Sequence, residues 1–171
     1  MPLACKCEIK TPDASWGFCC LDVFLWVRNG VHQRIMQKDF DLWNQQKKSL
    51  DVSQKQVRFH EAEVWWCSVG MNVGHEVCGK GHEYQRPILV LKKLSRETCI
   101  GLPISTQEKR GSWFHEISMH GKPRYVLLHQ IRMLSVNRFQ RRLTALSVSD
   151  FIRIKQQLEA LLELSAYHHH T

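Results

Sequence analysis

The chain has 171 residues, of which 43% are hydrophobic and 23% charged, a composition that indicates a folded domain and excludes a disordered or repetitive chain. Lysine and arginine outnumber aspartate and glutamate by 24 to 16, and the resulting net charge of +8 favours a polyanionic partner, nucleic acid first. No apolar run approaches the roughly 18 residues of a membrane-spanning helix, so we expect no membrane partner.

The first part of the chain differs from the rest. Four of the seven cysteines fall within the first 20 residues, and residues 16–27 are apolar but interrupted by Asp22. This interruption, with no small-residue cleavage site, is a poor match to a secretory signal, and an odd cysteine number favours a reducing compartment, the cytoplasm. We interpret residues 1–35 as a poorly ordered extension or as sequence upstream of a true start at Met36, and residues 166–171 as a solvated tail.

The elements between these ends are predicted in chain order from their periodicity. Residues 36–57 are expected to lead into the domain through a helix, because Phe40 and Trp43 lie on one helical face. Residues 70–85 contain four glycines and are predicted to form a long loop, the kind of segment that often carries function. Apolar and β-branched runs predict strands over residues 62–69, 88–91, 98–104, 113–119 and 124–128, with 131–134 continuing the sheet. Within the third strand, Pro103 indicates a position near an edge or a bulge.

The last predicted element is an amphipathic helix over residues 147–165. Its apolar stripe comprises Phe151, Ile154, Leu158, Leu161 and Leu162. Because the strands do not alternate with helices, a doubly wound nucleotide-binding fold is excluded. We therefore predict a mainly β (α+β) fold, a small, partly open barrel of five to seven strands with a C-terminal amphipathic helix and an N-terminal helical segment.

Several kinds of catalytic chemistry have no signature in the sequence. It contains no phosphate-binding loop motif, no His-Glu-x-x-His pair, no Gly-x-Ser-x-Gly elbow and no acidic cluster suited to magnesium. The cysteine and histidine spacings match no zinc pattern. We therefore expect no metal and no cofactor, and a nuclease of this sequence would need cationic groups to stabilise charge on phosphate and a partner for proton transfer.

Four segments occur in a specific order: residues 65–76 (WWCSVGMNVGHE), residues 79–91 with Arg-Pro at their centre, residues 102–106 (LPIST) and residues 127–132 (LLHQIR). Together they resemble the PemK/MazF-like toxins of type II toxin-antitoxin systems, and we place that domain at residues 58–165. The resemblance implies an SH3-like barrel, a homodimer, and a cognate antitoxin that blocks the RNA groove and binds DNA in complex with the toxin. It also implies metal-independent cleavage of single-stranded RNA by the ribose 2′-hydroxyl, which leaves 2′,3′-cyclic phosphate and 5′-hydroxyl ends.

Two catalytic positions of that family fall on Arg86 and Ser105. A guanidinium stays charged at any ordinary pH and presents a planar fork to two phosphate oxygens. Ser105 is expected to donate a hydrogen bond to the same phosphoryl group, although a strand-end hydroxyl that bonds its own turn is the alternative. We assign Arg86 to charge stabilisation and leave its part in proton transfer open.

The resemblance also implies RNA contacts at Glu76 and Gln130, and we add Lys80, from its place in the glycine-rich loop, and Thr106 as predicted RNA-binding residues. Simpler interpretations stay open for three of them. Glu76 could be a loop carboxylate paired with Lys80, and Lys80 could be a solvated loop lysine. Gln130 could be an amide that satisfies backbone groups at the end of the barrel. His129 departs from the family, which commonly carries Ser, Asp or Glu there, and this departure is expected to shift local charge or sequence preference.

Aromatic residues add a further expectation. Trp65, Trp66 and Trp113 are candidates for stacking on bases, and because Trp65 and Trp66 point to opposite faces of a strand, one of the two is expected in the core. Two other functions remain open: a non-catalytic gyrase poison of the CcdB type on the same barrel, and a decayed toxin. The RNA sequence that is cut and the antitoxin's identity are not encoded in any motif.

Overall fold

The computed structural model describes residues 22–23, 35–36 and 38–164, in two compact units, Met1–Lys38 and Asp39–Thr171. In the first unit, strands β1 (Asp22–Val23) and β2 (Ile35–Met36) pair antiparallel.

Apart from this strand pair, our interpretation of residues 1–35 and of the tail at residues 166–171 lies outside the described residues.

The second unit begins with helix α1, Phe40–Asp51. The helix begins four residues later than predicted because Asp39 caps it, its carboxylate accepting a hydrogen bond from the backbone N–H of Leu42 at 2.8 Å. Trp43 is buried, whereas Phe40 is 46% exposed, so α1 packs through a narrower apolar face than the spacing indicated.

A seven-stranded antiparallel sheet forms most of this unit, in the order β6-β7-β5-β4-β3-β9, with β8 pairing to β5. Its strands are β3 (Glu63–Ser68), β4 (Gln85–Lys93), β5 (Thr98–Ser105), β6 (Phe114–Met119), β7 (Lys122–Leu127), β8 (Arg132–Ser135) and β9 (Phe139–Ala145). The predicted mainly β, partly open barrel with a helix near each end of the domain is confirmed.

Strand β9 is an element that the sequence did not indicate. It pairs with β3, with Phe139 opposite Cys67. Phe139 is its only fully buried residue, and the Gln-Arg-Arg that follows is exposed. Because a strand with so little apolar alternation carries no period-2 signal, only its backbone pairing to β3 defines it.

Pro103 lies in a central strand, which corrects the expected position near an edge or bulge. On one side it pairs with Ile88 of β4. On the other side, β5 pairs with β8 through Thr98–Gly101 and with β7 through Ile104 and Ser105. Pro103 therefore lies where β5 changes its neighbour, a point at which a missing backbone N–H removes no ladder hydrogen bond on that side.

Helix α2, Val148–Leu161, covers one face of the sheet and begins at Ser147, whose hydroxyl accepts a hydrogen bond from the backbone N–H of Asp150 at 3.1 Å. Ile154 and Leu158 join the apolar core that the sheet forms on that side. Leu162 follows the last helical residue and is 46% exposed, so its predicted place on the apolar stripe was wrong. The opposite face of the sheet packs a second apolar cluster around Phe59, Trp65, Ile88 and Phe139.

The side chains of Trp65 and Trp66 divide between the faces of β3 as expected. Trp65 is buried in the second cluster, and its indole N–H donates to the carboxylate of Glu63 at 3.0 Å. Glu63 also accepts from the backbone N–H of His60 at 3.0 Å and pairs with Arg142 at 2.9 Å. Burial acts to raise the pKa of Glu63, but these hydrogen bonds and the arginine charge outweigh it and hold that pKa below its usual value. A Trp65 ring fixed in this way is excluded from base stacking.

Candidate active site

A cavity of about 200 Å³ lies where β4 begins and β5 ends. Four of the six predicted site residues line it: Lys80, Arg86, Ser105 and Gln130. The cavity is open to solvent on one side and bounded by the loop between β3 and β4 on another. Arg86 and Ser105, which are 19 positions apart in sequence, therefore line the same cavity.

The pairing of β4 with β5 explains how Arg86 and Ser105 meet. Ile88 lies opposite Pro103 in this antiparallel pair. Continuing the register by two residues places Arg86 beside Ser105 with both side chains on the same face, because side chains alternate along a strand. The Nη1 atom of Arg86 lies 3.4 Å from the carbonyl oxygen of Ile104, which is consistent with this placement.

Arg86 is half-buried and held by backbone oxygens. Its Nε donates to the carbonyl of Cys78 at 2.8 Å, so the loop itself orients the guanidinium. Burial lowers the pKa of Arg86, and nearby Cys78 acts weakly in the opposite direction. A guanidinium begins from so high a value that it stays protonated, and its remaining N–H donors have no carboxylate partner among the described residues. The Arg86 guanidinium is thus a positive charge that is fixed in orientation and not neutralised by a carboxylate of the described residues.

Ser105 is 6% exposed, and its hydroxyl oxygen already accepts one hydrogen bond. The backbone N–H of Gln107 donates to this oxygen at 3.1 Å, so the alternative of a hydroxyl that bonds its own turn is what the structure shows. The bond uses only an acceptor position of the hydroxyl, and within residues 38–164 the hydroxyl hydrogen has no hydrogen-bond acceptor. Ser105 is therefore oriented by its turn and still has a donor for a ligand.

Gln130 connects the barrel to the loop. Its amide oxygen accepts from the backbone N–H of Val77 at 3.1 Å, and its amide nitrogen donates to the carbonyl of His75 at 3.4 Å. This is the backbone-satisfying role that we held open for it. Lys80 is exposed at the cavity wall, and its backbone pairs with Gln85 in both directions. Both residues shape the wall that faces Arg86.

Glu76 and Thr106 are not among the residues that line the cavity. Both are exposed to solvent. Glu76 makes no ion pair with Lys80 in the described part of the chain, so the alternative of a loop carboxylate paired with that lysine is not observed. Each of them is nevertheless next in sequence to residues that do line the cavity, Glu76 to His75 and Val77, and Thr106 to Ser105 and Gln107.

Seven further residues line the wall that were not among the predicted site residues, although His129 had been singled out for its effect on local charge: His75, Val77, Gln107, Lys109, Phe114, Leu127 and His129. The His129 ring lies edge-on to Phe114, with ring centroids 5.2 Å apart. Lys109 adds a second exposed cation from the turn after β5. Two of these residues could have been predicted from the sequence: Lys109 is a basic residue in a predicted turn, and His129 is an imidazole within the LLHQIR segment.

Trp113, the exposed member of the three predicted stacking residues, adjoins this wall. It is 57% exposed, and its ring centroid lies 5.7 Å from that of His129. The His129 Nδ1 atom is 3.4 Å from the Trp113 carbonyl oxygen. Trp113 and Phe114 thus supply aromatic surface beside the cationic cavity, while Trp65 does not.

No group of three or more His, Cys, Asp or Glu side chains within the described ranges is arranged to hold a metal ion. Cys67, Cys78 and Cys99 are free thiols. Among the same residues, no helix is both long and apolar enough to cross a membrane.

A small antiparallel barrel whose cavity joins an oriented guanidinium to a buried hydroxyl defines a protein with a cationic site suited to a phosphate group. Residues 60–162 match the family model described as the PemK-like, MazF-like toxin of type II toxin-antitoxin systems. The chain belongs to this family, which confirms the resemblance seen in the four ordered segments.

Solved structures show the same fold. MazF from Deinococcus radiodurans is 21% identical, with a TM-score of 0.51 over 63% of this chain and 98% of that chain. An endoribonuclease in complex with its cognate antitoxin, from a mycobacterial species, is 14% identical, with a TM-score of 0.50 over 63% of this chain and 97% of that chain. A search of curated proteins gave no significant match.

Proposed function

We propose that the protein is the toxin of a type II toxin-antitoxin pair and acts as a metal-independent endoribonuclease on single-stranded RNA. The observation that carries the proposal is the side-by-side placement of Arg86 and Ser105 at one cavity, each held in position and each with hydrogen-bond donors left for a ligand. Family membership and the positive net charge support the same conclusion.

The proposed reaction is an attack of the ribose 2′-hydroxyl on the adjacent phosphorus. The new oxygen–phosphorus bond forms as the bond to the 5′-oxygen breaks, which gives a 2′,3′-cyclic phosphate and a 5′-hydroxyl end. The proton that the 2′-hydroxyl loses is balanced by the one that the leaving 5′-oxygen gains. Negative charge grows on the non-bridging oxygens, where the guanidinium of Arg86 and the hydroxyl of Ser105 stabilise it. Arg86 is a poor general base, because it stays protonated, and its role is therefore charge stabilisation.

The predicted RNA-binding residues divide into two groups in this proposal. Lys80 and Gln130 contact the nucleotide at the cleaved bond, since they line the cavity with Arg86. Glu76 and Thr106 contact the strand on either side, where their exposure leaves them accessible to bases. Trp113 offers a stacking surface beside the cavity, and stacking of a base on an aromatic ring contributes about 1–3 kcal/mol.

The proposal includes partners and a compartment. A similar endoribonuclease is found in complex with its cognate antitoxin. We propose that a cognate antitoxin of this chain covers the cavity with an acidic or carboxylate-bearing segment and that the complex binds DNA. A homodimer in the cytoplasm completes the proposal, which is consistent with free thiols at Cys67, Cys78 and Cys99.

The test is incubation of the protein with mixed single-stranded RNA in EDTA, followed by analysis of the fragment ends. We expect cyclic phosphate and 5′-hydroxyl ends, and a loss of cleavage rate of about 10²–10³-fold in Arg86→Ala and in Ser105→Ala. Arg96→Ala and Ser112→Ala are matched controls, because both residues are exposed and neither lines the cavity.

The outcomes separate the alternatives. Variants of Arg86 and Ser105 that cut as fast as the controls would end the site assignment. Fragments with 5′-phosphate ends would contradict the 2′-hydroxyl mechanism. Intact RNA together with trapped gyrase–DNA complexes would favour the non-catalytic poison, and a folded protein that shows neither activity would be a decayed toxin.

A further inference from the structure

A second cavity, of about 270 Å³, lies between α1 and the short 3-10 turn that joins β8 to β9. Lys47 and Lys48 line it from α1, and Arg138 lines it from the turn. None of these three residues lines the cavity of Arg86, and α1 precedes the segment that matches the toxin family. The second cavity is therefore a feature of this chain that the proposed cleavage site does not use.

The position of α1 determines which of its residues face this cavity. Trp43 is buried against Tyr84, with ring centroids 5.5 Å apart, and the amide of Gln46 donates to the carbonyl of Glu83 at 3.2 Å. These contacts fix the rotation of the helix. Lining residues Asn44, Lys47, Lys48 and Asp51 follow the i, i+3, i+4, i+7 spacing of one helical face. The two lysines are thus presented by a helix that is anchored through its neighbouring face.

Arg138 is the oriented cation of this cavity. Its Nη1 donates to the carbonyl of Ser68 at 2.9 Å, and its guanidinium lies over the Trp43 ring at 5.7 Å. Burial and the nearby charge of Arg132 lower its pKa, so the surroundings disfavour the positive charge that the side chain still carries. A half-buried cation under such repulsion is stabilised when an anion binds beside it.

The charges around the cavity are not neutralised within the protein. In the described part of the chain, neither Arg138 nor the two lysines form an ion pair, and Asp51 is the one acidic residue of the lining. The side-chain amides of Asn44 and Asn137 and the hydroxyl of Ser135 add further hydrogen-bond donors to the wall, and Leu50 is its one apolar residue. Cations and neutral donors together suit a phosphate group.

We propose that the second cavity binds a backbone phosphate of the RNA strand away from the bond that is cut; this proposal rests on the proposed function. Phe139, the neighbour of Arg138 along the chain, lies in one row with Cys67 and Arg86 across β9, β3 and β4. Two strand spacings separate the ends of this row, about 10 Å. That separation is short compared with the roughly 4–16 nucleotides that a small barrel covers on a single strand. A strand held at Arg86 therefore reaches the α1 cavity within a few nucleotides.

The experiment compares RNA binding at two lengths. The probe is mixed-sequence 2′-O-methyl RNA, which lacks the attacking hydroxyl, as a dinucleotide with a single phosphate and as an oligonucleotide of about 16 residues. Fluorescence anisotropy gives Kd over a range of salt concentrations for the full-length protein and for Lys47→Gln/Lys48→Gln. Lys122→Gln/Arg96→Gln is the matched control, because it removes the same charge from exposed residues that line neither cavity.

For the longer oligonucleotide, we expect the slope of log affinity against log salt to decrease in magnitude by about 0.7 for each phosphate contact that the lysine pair loses. The shorter oligonucleotide, held at Arg86, should bind the pair variant and the control equally well. Arg86→Ala should weaken both lengths. Arg138→Gln should reproduce the effect of the lysine pair, and if it does not fold, the two exposed lysines still decide the question.

A lysine-pair variant that matches the control at both lengths overturns the inference, as does wild-type protein that binds neither length. Loss of binding to an acidic antitoxin segment, with RNA binding unchanged, would overturn it in favour of a protein ligand. Cleavage of unmodified RNA is measured on the same samples. Absence of cleavage with length-dependent binding refutes the nuclease proposal alone, whereas cleavage without any effect of the lysine pair refutes the second cavity alone.

Discussion

Gly70 lies directly against the ring of Trp43, at the junction of α1 with the loop that leads to Arg86. A Cβ atom added to Gly70 would lie 2.1 Å from Cε2 of Trp43, much closer than any van der Waals contact. The backbone φ of Gly70 is +84°, a conformation that side chains with a Cβ rarely adopt. Gly70→Ala is therefore expected both to strain the backbone and to displace Trp43.

The backbone strain at Gly70 and the displacement of Trp43 contribute separately to the loss of folding free energy. A residue with a Cβ in the left-handed region costs about 1–2 kcal/mol. Displacement of Trp43 adds part of the roughly 3–5 kcal/mol that truncation of a buried tryptophan costs, including the edge contact with Tyr84. In a Trp43→Ala background only the strain remains. The free energies of unfolding should therefore show a coupling of about 2–3 kcal/mol between positions 43 and 70.

The assay is denaturant unfolding, followed by circular dichroism, of the wild type, both single variants and the double variant. Gly121→Ala is the matched control, because Gly121 has a φ of +70° and open space where its Cβ would lie. It should cost about 1–2 kcal/mol with either residue at position 43. If Gly70→Ala costs the same in the presence and absence of Trp43, the packing of α1 on the loop is not as described.

Two further predictions concern titrating groups. Burial raises the pKa of Cys99 to about 11 and that of Cys67 well above its usual value, so both thiols stay neutral and unreactive. Iodoacetamide at pH 8 should therefore label Cys78 before either of them in the folded protein. Equal labelling of Cys99 would contradict this burial. The lowered pKa of Glu63 contributes stability that is present above the pKa of an unfolded glutamate and is lost as pH falls through the folded value. Glu63→Gln should therefore flatten the acid side of the stability profile measured by denaturant unfolding, and an unchanged dependence below about pH 5 would refute the assignment.

Much of the fold follows from local patterns in the sequence. The apolar run at residues 88–91 predicts a buried strand, and Leu89 and Val90 lie in the core at the centre of β4. The spacing of Ile154 and Leu158 predicts the buried face of α2, because a 3.6-residue period is a property of a single helix. Strand β9 was not predicted because its sequence has too little apolar alternation, and only its backbone pairing with β3 defines it.

Local sequence patterns predicted every strand of the large sheet except β9, together with the terminal helix, and the ordered segments indicated Arg86 and Ser105 as candidate site residues. The tertiary structure was needed to show that Lys109 and His129 line the same cavity as Arg86 and Ser105. It also decided that Trp43 anchors α1 on the loop. The physical reason is that helices and strands depend on neighbouring residues and short periods, whereas the wall of a cavity depends on strand register and on turns that bring together segments distant in sequence.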